Sequence, residues 1–111
     1  MDLTVRHLDQ VSIITVTGRV LLGEGDAALR QAIEELTDQG RLKVLLNLEE
    51  VPTMDSMALG QIVAAQVHAG RKGGTVKLLG ANHRIKNLLA LTRLTAVFET
   101  FDSESEAIAS F

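Results

Sequence analysis

The run Val44-Leu45-Leu46-Asn47-Leu48 is apolar almost throughout, and a helix-length stretch separates it from a second such run, Thr75-Val76-Lys77-Leu78-Leu79. A strand without polar alternation has to be covered on both faces, so Val44–Leu48 is expected near the centre of a sheet with helices packed on it. The rest of the chain can be arranged around that strand. Leu3-Thr4-Val5-Arg6 alternates apolar and polar, Asp9-Gln10 interrupts, and Val11-Ser12-Ile13-Ile14-Thr15-Val16 resumes with β-branched residues, which predicts an opening hairpin. A loop from Gly18 to Gly25 leads into Leu29, Ala32, Ile33 and Leu36, spaced as one stripe of a helix that ends near Gly40.

Beyond the central strand, Glu49 to Asp55 forms a connection containing the only proline, Pro52. The next helix is predicted from about Ser56 to Arg71, with Gly73-Gly74 as its stop. A short helix follows Asn82 with Ile85, Leu88 and Leu89 inward, Val97-Phe98 reads as a brief last strand, and Asp102 or Ser103 caps a final helix to Ala109. The predicted class is α/β, in the order ββαβαβαβα, with a mixed four- to five-stranded sheet and about four helices. A chain of 111 residues has room for one core, and no linker or repeat divides it, so residues 1–111 are expected to form a single domain.

Composition removes whole classes of function. Without cysteine there are no disulfides, thiolate metal sites, iron–sulfur clusters or thiol nucleophiles. A net charge of -3 opposes nucleic-acid binding, where neutralised phosphates supply most of the affinity. Phe98, Phe101 and Phe111 are the only aromatic rings apart from histidines, which leaves little for bases to stack on. The apolar runs are too short for a membrane span, and Met1-Asp2-Leu3-Thr4-Val5-Arg6 lacks the basic start and apolar stretch of a secretory signal. A mature cytoplasmic protein with neither nucleic acid nor membrane as partner is expected.

The most informative stretch is Met54-Asp55-Ser56-Met57-Ala58-Leu59-Gly60, where the connection feeds a helix. At a helix start the first N–H groups lack intrahelical partners and the peptide dipoles favour negative charge, so a phosphate on Ser56 would be tolerated there. Asp55 and Ser56 are equally suited to cap the helix. From Ser56 to Gly70 there is no Asp, Glu, Lys or Arg. Either this helix is buried all round, or its outer face meets a partner.

These residues, in this order of elements, resemble the STAS domain, and specifically the bacterial anti-sigma factor antagonists. The resemblance is carried by Asp55-Ser56 followed by Leu59-Gly60 after a strand ending Leu46-Asn47-Leu48. Gly18, the Gly70-Arg71-Lys72-Gly73-Gly74 turn and the helix opening at Asn82 also fit it. It implies a partner-switching role without enzymatic activity or cofactor: an anti-sigma factor serine kinase phosphorylates Ser56, only the unmodified form binds that kinase, and a serine phosphatase resets the cycle. The implied partner-binding residues are Asp55, Met57, Ala58, Leu59, Gly60, Gly18 and Leu21, in the second helix and the Gly18 to Leu22 loop. This chain departs from the family in having Met57-Ala58 where Ser or Thr and then Gly are common, and Arg19-Val20-Leu21 where an acidic residue is usual. Other STAS domains are unmodified scaffold or transporter-associated subunits, which Met57 would suit as a permanent apolar contact.

Other constellations point less far. Gly23-Glu24-Gly25-Asp26-Ala27-Ala28 satisfies G-x-G-x-x-A, but the preceding strand ends near Thr17 and Glu24 and Asp26 would repel a pyrophosphate. A small nucleotide-binding or hydrolytic enzyme would need Ser56 as nucleophile, yet Met54 and Ala58 replace the glycines of a nucleophile elbow. His68 lies over three turns along the same helix, out of reach of Ser56. His7, His68 and His83 share no metal-ligand spacing, so no metal is expected. His83, Arg84, Lys86 and Arg93 read as a solvated basic face.

Overall fold

The computed structural model describes residues 1–111. The chain runs β1 (Asp2–Leu8), β2 (Val11–Thr17), α1 (Asp26–Asp38), β3 (Lys43–Glu50), α2 (Ser56–Arg71), β4 (Thr75–Leu79), α3 (His83–Leu91), β5 (Thr100–Phe101) and α4 (Glu104–Ala109). The strands form one sheet in the order β1-β2-β3-β4-β5. β1 is antiparallel to β2, and every later pair is parallel. The mixed sheet and the element order are those expected from the sequence.

Strand alternation divides the apolar residues between two layers. Ile14, Val16, Val44, Leu46, Leu48, Val76 and Leu78 face α1, α2 and α3, and with Leu29, Ile33, Ile62 and Leu89 form the main core. Val11, Ile13, Leu45 and Leu79 face the other way, against Ala107 of α4. β3 is therefore covered on both sides, which accounts for its lack of polar alternation. Lys77 lies on the α4 side and is only 7% exposed. Its Nζ donates to the Ser110 carbonyl and hydroxyl, both at 2.9 Å, pairs with Glu99 at 3.0 Å and stands 4.7 Å from the centre of the Phe111 ring. A buried ammonium is tolerable because its donors are met.

α2 ends where Gly73 adopts φ 82° and the Gly74 N–H reaches the Ala69 carbonyl at 2.8 Å. Gly74 also lies against Leu42, where a Cβ would stand 2.8 Å from the Leu42 oxygen, so this turn needs glycine for space.

The last strand is displaced from its expected place. Val97-Phe98 lies in a turn, and β5 is Thr100–Phe101. Phe98 is an anchor in the main core, 3% exposed, whereas pairing to β4 is made by Leu78 N–H to Glu99 O at 3.0 Å and Gly80 N–H to Phe101 O at 2.8 Å. Apolar character there signals burial of one ring, not a strand. No helix is long and apolar enough to cross a membrane.

Candidate functional site at the start of α2

Asp55 decides the local geometry. Its backbone is extended, φ -94° and ψ 170°, and its Oδ1 accepts the Ala58 N–H at 2.8 Å. Asp55 is thus the N-cap, and Ser56 is the first residue of the helix, with an exposed side chain. The other oxygen, Oδ2, accepts the Leu22 N–H at 3.0 Å. The Leu22 N–H and then the Ala58 N–H hold the Asp55 carboxyl below the ordinary carboxylate value against the opposing effect of burial, with a lesser contribution from the Met57 N–H.

The Gly18 to Gly25 loop is tied to the same place by backbone. Gly18, at φ 99°, donates to Glu50 O at 3.0 Å, and Val20 N–H donates to Thr53 O at 3.1 Å. Val20 forms an isolated parallel bridge with Met54. Leu21 and Glu24 exchange both backbone bonds, at 3.2 and 2.8 Å. Val20 is thereby turned into the core and Leu21 is half-buried. Leu22 is left 58% exposed, tied to Asp55, while Met57 two residues further on is 60% exposed.

A second carboxylate steadies the loop from α1. Asp26 is buried; its Oδ1 accepts the Gly23 N–H at 3.0 Å and its Oδ2 the Gln61 amide at 3.4 Å. Gln61 also accepts from Arg30 at 3.0 Å, and Arg30 pairs with Glu34 at 2.9 Å. Further along, His68 Nε2 meets Asp38 at 2.7 Å and Lys72 meets it at 3.4 Å. The hydrogen bond from His68 chiefly holds the Asp38 carboxyl below its ordinary value.

The burial pattern rules out one account of the uncharged helix, that it is buried all round. Ala58, Leu59, Ile62, Ala65 and Ala69 are buried. Met57, Gly60 and Val67 are exposed and Ala64 is half-buried, so the outer face is open. Of the residues expected at a partner surface, Ser56, Met57 and Gly60 lie on that face, and Asp55, Gly18 and Leu21 build the loop junction beside it. Ala58 and Leu59 require correction as contact residues: at 0% and 1% exposure their side chains are in the core, because a 100° turn per residue carries them inward from Met57. Asp26, Gln61 and Val67 were not singled out as site residues by the sequence, and Leu22 entered only as the end of the expected binding loop.

The remaining constellations have ordinary structural occupations. Asp26, which stood against a dinucleotide loop, turns inward and takes the Gly23 N–H for itself. His68 is engaged by Asp38, His83 by Asn87 at 3.2 Å and His7 by Ser12 at 2.9 Å. Lys86 pairs with Asp102 at 3.4 Å. No group of three or more His, Asp or Glu is placed to hold a metal ion.

Comparison with known proteins agrees with this architecture. The family model described as the STAS domain matches residues 2–107. A Thermotoga neapolitana protein, described as a candidate anti-sigma factor antagonist, is 33% identical over 75 residues, 68% of this chain and 66% of that protein. The crystal structure of a Thermotoga maritima protein described in the same terms superposes with a TM-score of 0.89 at 26% identity, covering 97% of this chain and 92% of that one. The Bacillus cell fate determinant SpoIIAA, in its phosphorylated form, superposes with a TM-score of 0.75 over 98% of both chains. At 18% identity that likeness speaks for the fold alone.

Proposed function

The chain belongs to the STAS domain family, and from that membership we propose that it is an anti-sigma factor antagonist: it binds an anti-sigma factor serine kinase through the start of α2, and phosphorylation of Ser56 switches the complex off. The observation that carries this reading is the placement of Ser56. It is the first residue of α2 and exposed, its capping role is taken by Asp55, and it adjoins the exposed apolar Met57.

That arrangement separates folding from binding. A phosphoryl group adds about -1.5 to -2 charges at a helix N-terminus, where the helix dipole favours an anion. The same charge on an uncharged docking face, next to ionised Asp55, is costly to desolvate when a partner closes over it. The fold survives and the complex does not. A phosphatase that removes the group restores binding and completes a cycle that regulates transcription.

Ala58 in place of the family's common glycine is accommodated inward, since its methyl group is buried. Met57 is the departure with a consequence for the surface. It supports a second reading, an unmodified scaffold or transporter-associated subunit, because an exposed thioether side chain suits a permanent apolar contact.

Intact-mass analysis with phosphosite mapping separates the two. The protein and its Ser56→Ala variant are incubated with Mg-ATP and each serine-kinase anti-sigma factor of the same genome. One phosphoryl group at Ser56, absent from the variant, is the expected result. A kinase that binds the protein tightly yet leaves it unmodified would sink the switch and favour the scaffold.

A further inference from the structure

The two edges of the sheet are built differently. At one end β5 is only two residues long, too short to template a further strand. At the other end β1 runs for seven residues in unbroken register with β2, without proline, lysine or a bulge. All of it except half-buried Leu3 is exposed, Val5 at 44% and Leu8 at 43%. Natural sheets usually blunt such an edge, because its unpaired N–H and C=O groups accept another strand.

Which of those groups point outward follows from the bonds on the inner side. Gly18 N–H, directly after β2, donates to Glu50 O of β3, and backbone groups alternate sides along a strand. Ser12, Ile14 and Val16 therefore bond toward β3, and Val11, Ile13, Thr15 and Thr17 toward β1. Their partners in β1 are Leu8, Arg6, Thr4 and Asp2, so the N–H and C=O groups of Leu3, Val5 and His7 point outward. An antiparallel copy of β1 can bond only where these outward residues face one another, which puts the two-fold axis on a residue and not between two.

Charge selects among those registers. Centred on Thr4, the pairing sets Asp2 opposite Arg6 of the second copy, Leu3 opposite its Val5 and Thr4 opposite its own counterpart, all favourable cross-strand pairs. Centring on Val5 leaves Asp2 opposite Leu8, centring on Arg6 sets two guanidinium groups face to face, and centring on Leu3 engages only the start of the strand. Asp2 is exposed and takes part in none of the protein's ion pairs. Arg6, paired with Glu104 of α4, keeps further donors for a second carboxylate.

We infer that β1 is the seam of a homodimer: two copies join antiparallel about Thr4 and continue their five-stranded sheets into one. Leu3 and Val5 of both copies form an apolar strip on the face carrying the main core, which Leu3 already adjoins, and the Asp2–Arg6 pairs lie on the face carrying α4. The seam uses no residue of α2 or of the Gly18 to Gly25 loop, so it does not depend on the antagonist reading. A strand pairing with so narrow an apolar strip makes a weak, exchanging dimer whose population rises with concentration.

The test is sedimentation velocity of the purified chain and its variants from micromolar to millimolar concentration, with thermal melts to verify folding. The parent is expected to pass reversibly from monomer to dimer. Val5→Pro removes an outward N–H and no bond to β2, and is expected to stay monomeric. Asp2→Arg and Arg6→Asp each set like charges opposite one another at both ends of the seam, and each should weaken self-association about tenfold or more. Mixed together, these two single variants regain both opposite-charge pairs, so a heterodimer is expected at concentrations where neither variant pairs with itself, a result that misfolding does not produce. A parent that stays monomeric throughout would overturn the dimer and leave the edge to a strand of another protein. A dimer that survives in folded Val5→Pro would move the contact off β1. A dimer lost in Val5→Pro but indifferent to both charge reversals, with no gain on mixing, would overturn the register about Thr4.

Discussion

Asp55 holds Leu22: one carboxylate oxygen takes the Leu22 N–H at 3.0 Å while the other caps α2 at Ala58. A single side chain thus starts the helix and fastens the loop beside it. Asp55→Ala should cost about 1 kcal/mol in urea denaturation, the usual worth of an N-cap, and should speed amide exchange at Leu22. Asp55→Asn keeps an acceptor for one of the two N–H groups and should lose less. Unchanged exchange at Leu22 in the alanine variant would show that the loop is held by its backbone bonds to Thr53 and Glu50 alone.

Acid should loosen this clasp in a defined direction. The Asp55 and Asp38 carboxyls lie below the ordinary value of 3.8 in the folded protein, so the native state binds fewer protons there than the unfolded chain. Their stabilisation is complete above that ordinary value and is lost as pH falls through the lowered folded values. The urea midpoint should fall as pH drops below about 4, and the difference between the parent and an Asp38→Asn, Asp55→Asn double variant should shrink over the same window. A difference independent of pH would show that neither carboxyl is perturbed.

The sequence carried the sheet and the helix starts because those depend on neighbours in the chain. Asp55 next to Ser56, Asn82 before α3 and Gly73-Gly74 after α2 are local signals, and β3 is legible from its unbroken apolar run. β5 is not, since Phe98 and Phe101 look alike in composition and only the position of β4 decides which one pairs. The site divides in the same way. Ser56 and Met57 follow from the helix start, but the hold of Asp55 on Leu22 and of Asp26 on Gln61 joins residues more than thirty positions apart. Helical phase alone would have placed Ala58 and Leu59 inside and Val67 outside, once the charge-free helix was known to lie on the sheet.

Lys77 makes a prediction about the second face of the sheet. Its ammonium joins β4 to the end of α4 through Ser110 and to Glu99, and α4 is short, so this contact fixes it more than its own hydrogen bonds do. Lys77→Ala should destabilise the domain by about 1–3 kcal/mol, because hydrogen bonds from a charged donor to Ser110 are lost. Amide exchange over Glu104–Ala109 should accelerate more than exchange in α2. Uniform acceleration across the chain would mean that α4 is not a separately released element.

Gly60 tests where the outer face of α2 is used, because its two expected effects have opposite signs. A glycine inside a helix costs about 0.5–1 kcal/mol relative to alanine through backbone entropy. At Gly60 no positive φ or close neighbour offsets that cost, since a Cβ would enter open space. Gly60→Ala should therefore raise the stability of the free protein by about that amount in urea denaturation. The added methyl group stands out from the exposed face of α2, and overfilling a packed contact by one methyl costs about 1 kcal/mol, so affinity for the anti-sigma factor should fall about fivefold. A variant that is more stable and binds less well cannot be explained by damage to the fold. If stability rises and affinity does not change, the partner does not reach Gly60, and the contact is confined to Ser56, Met57 and the loop carrying Leu22.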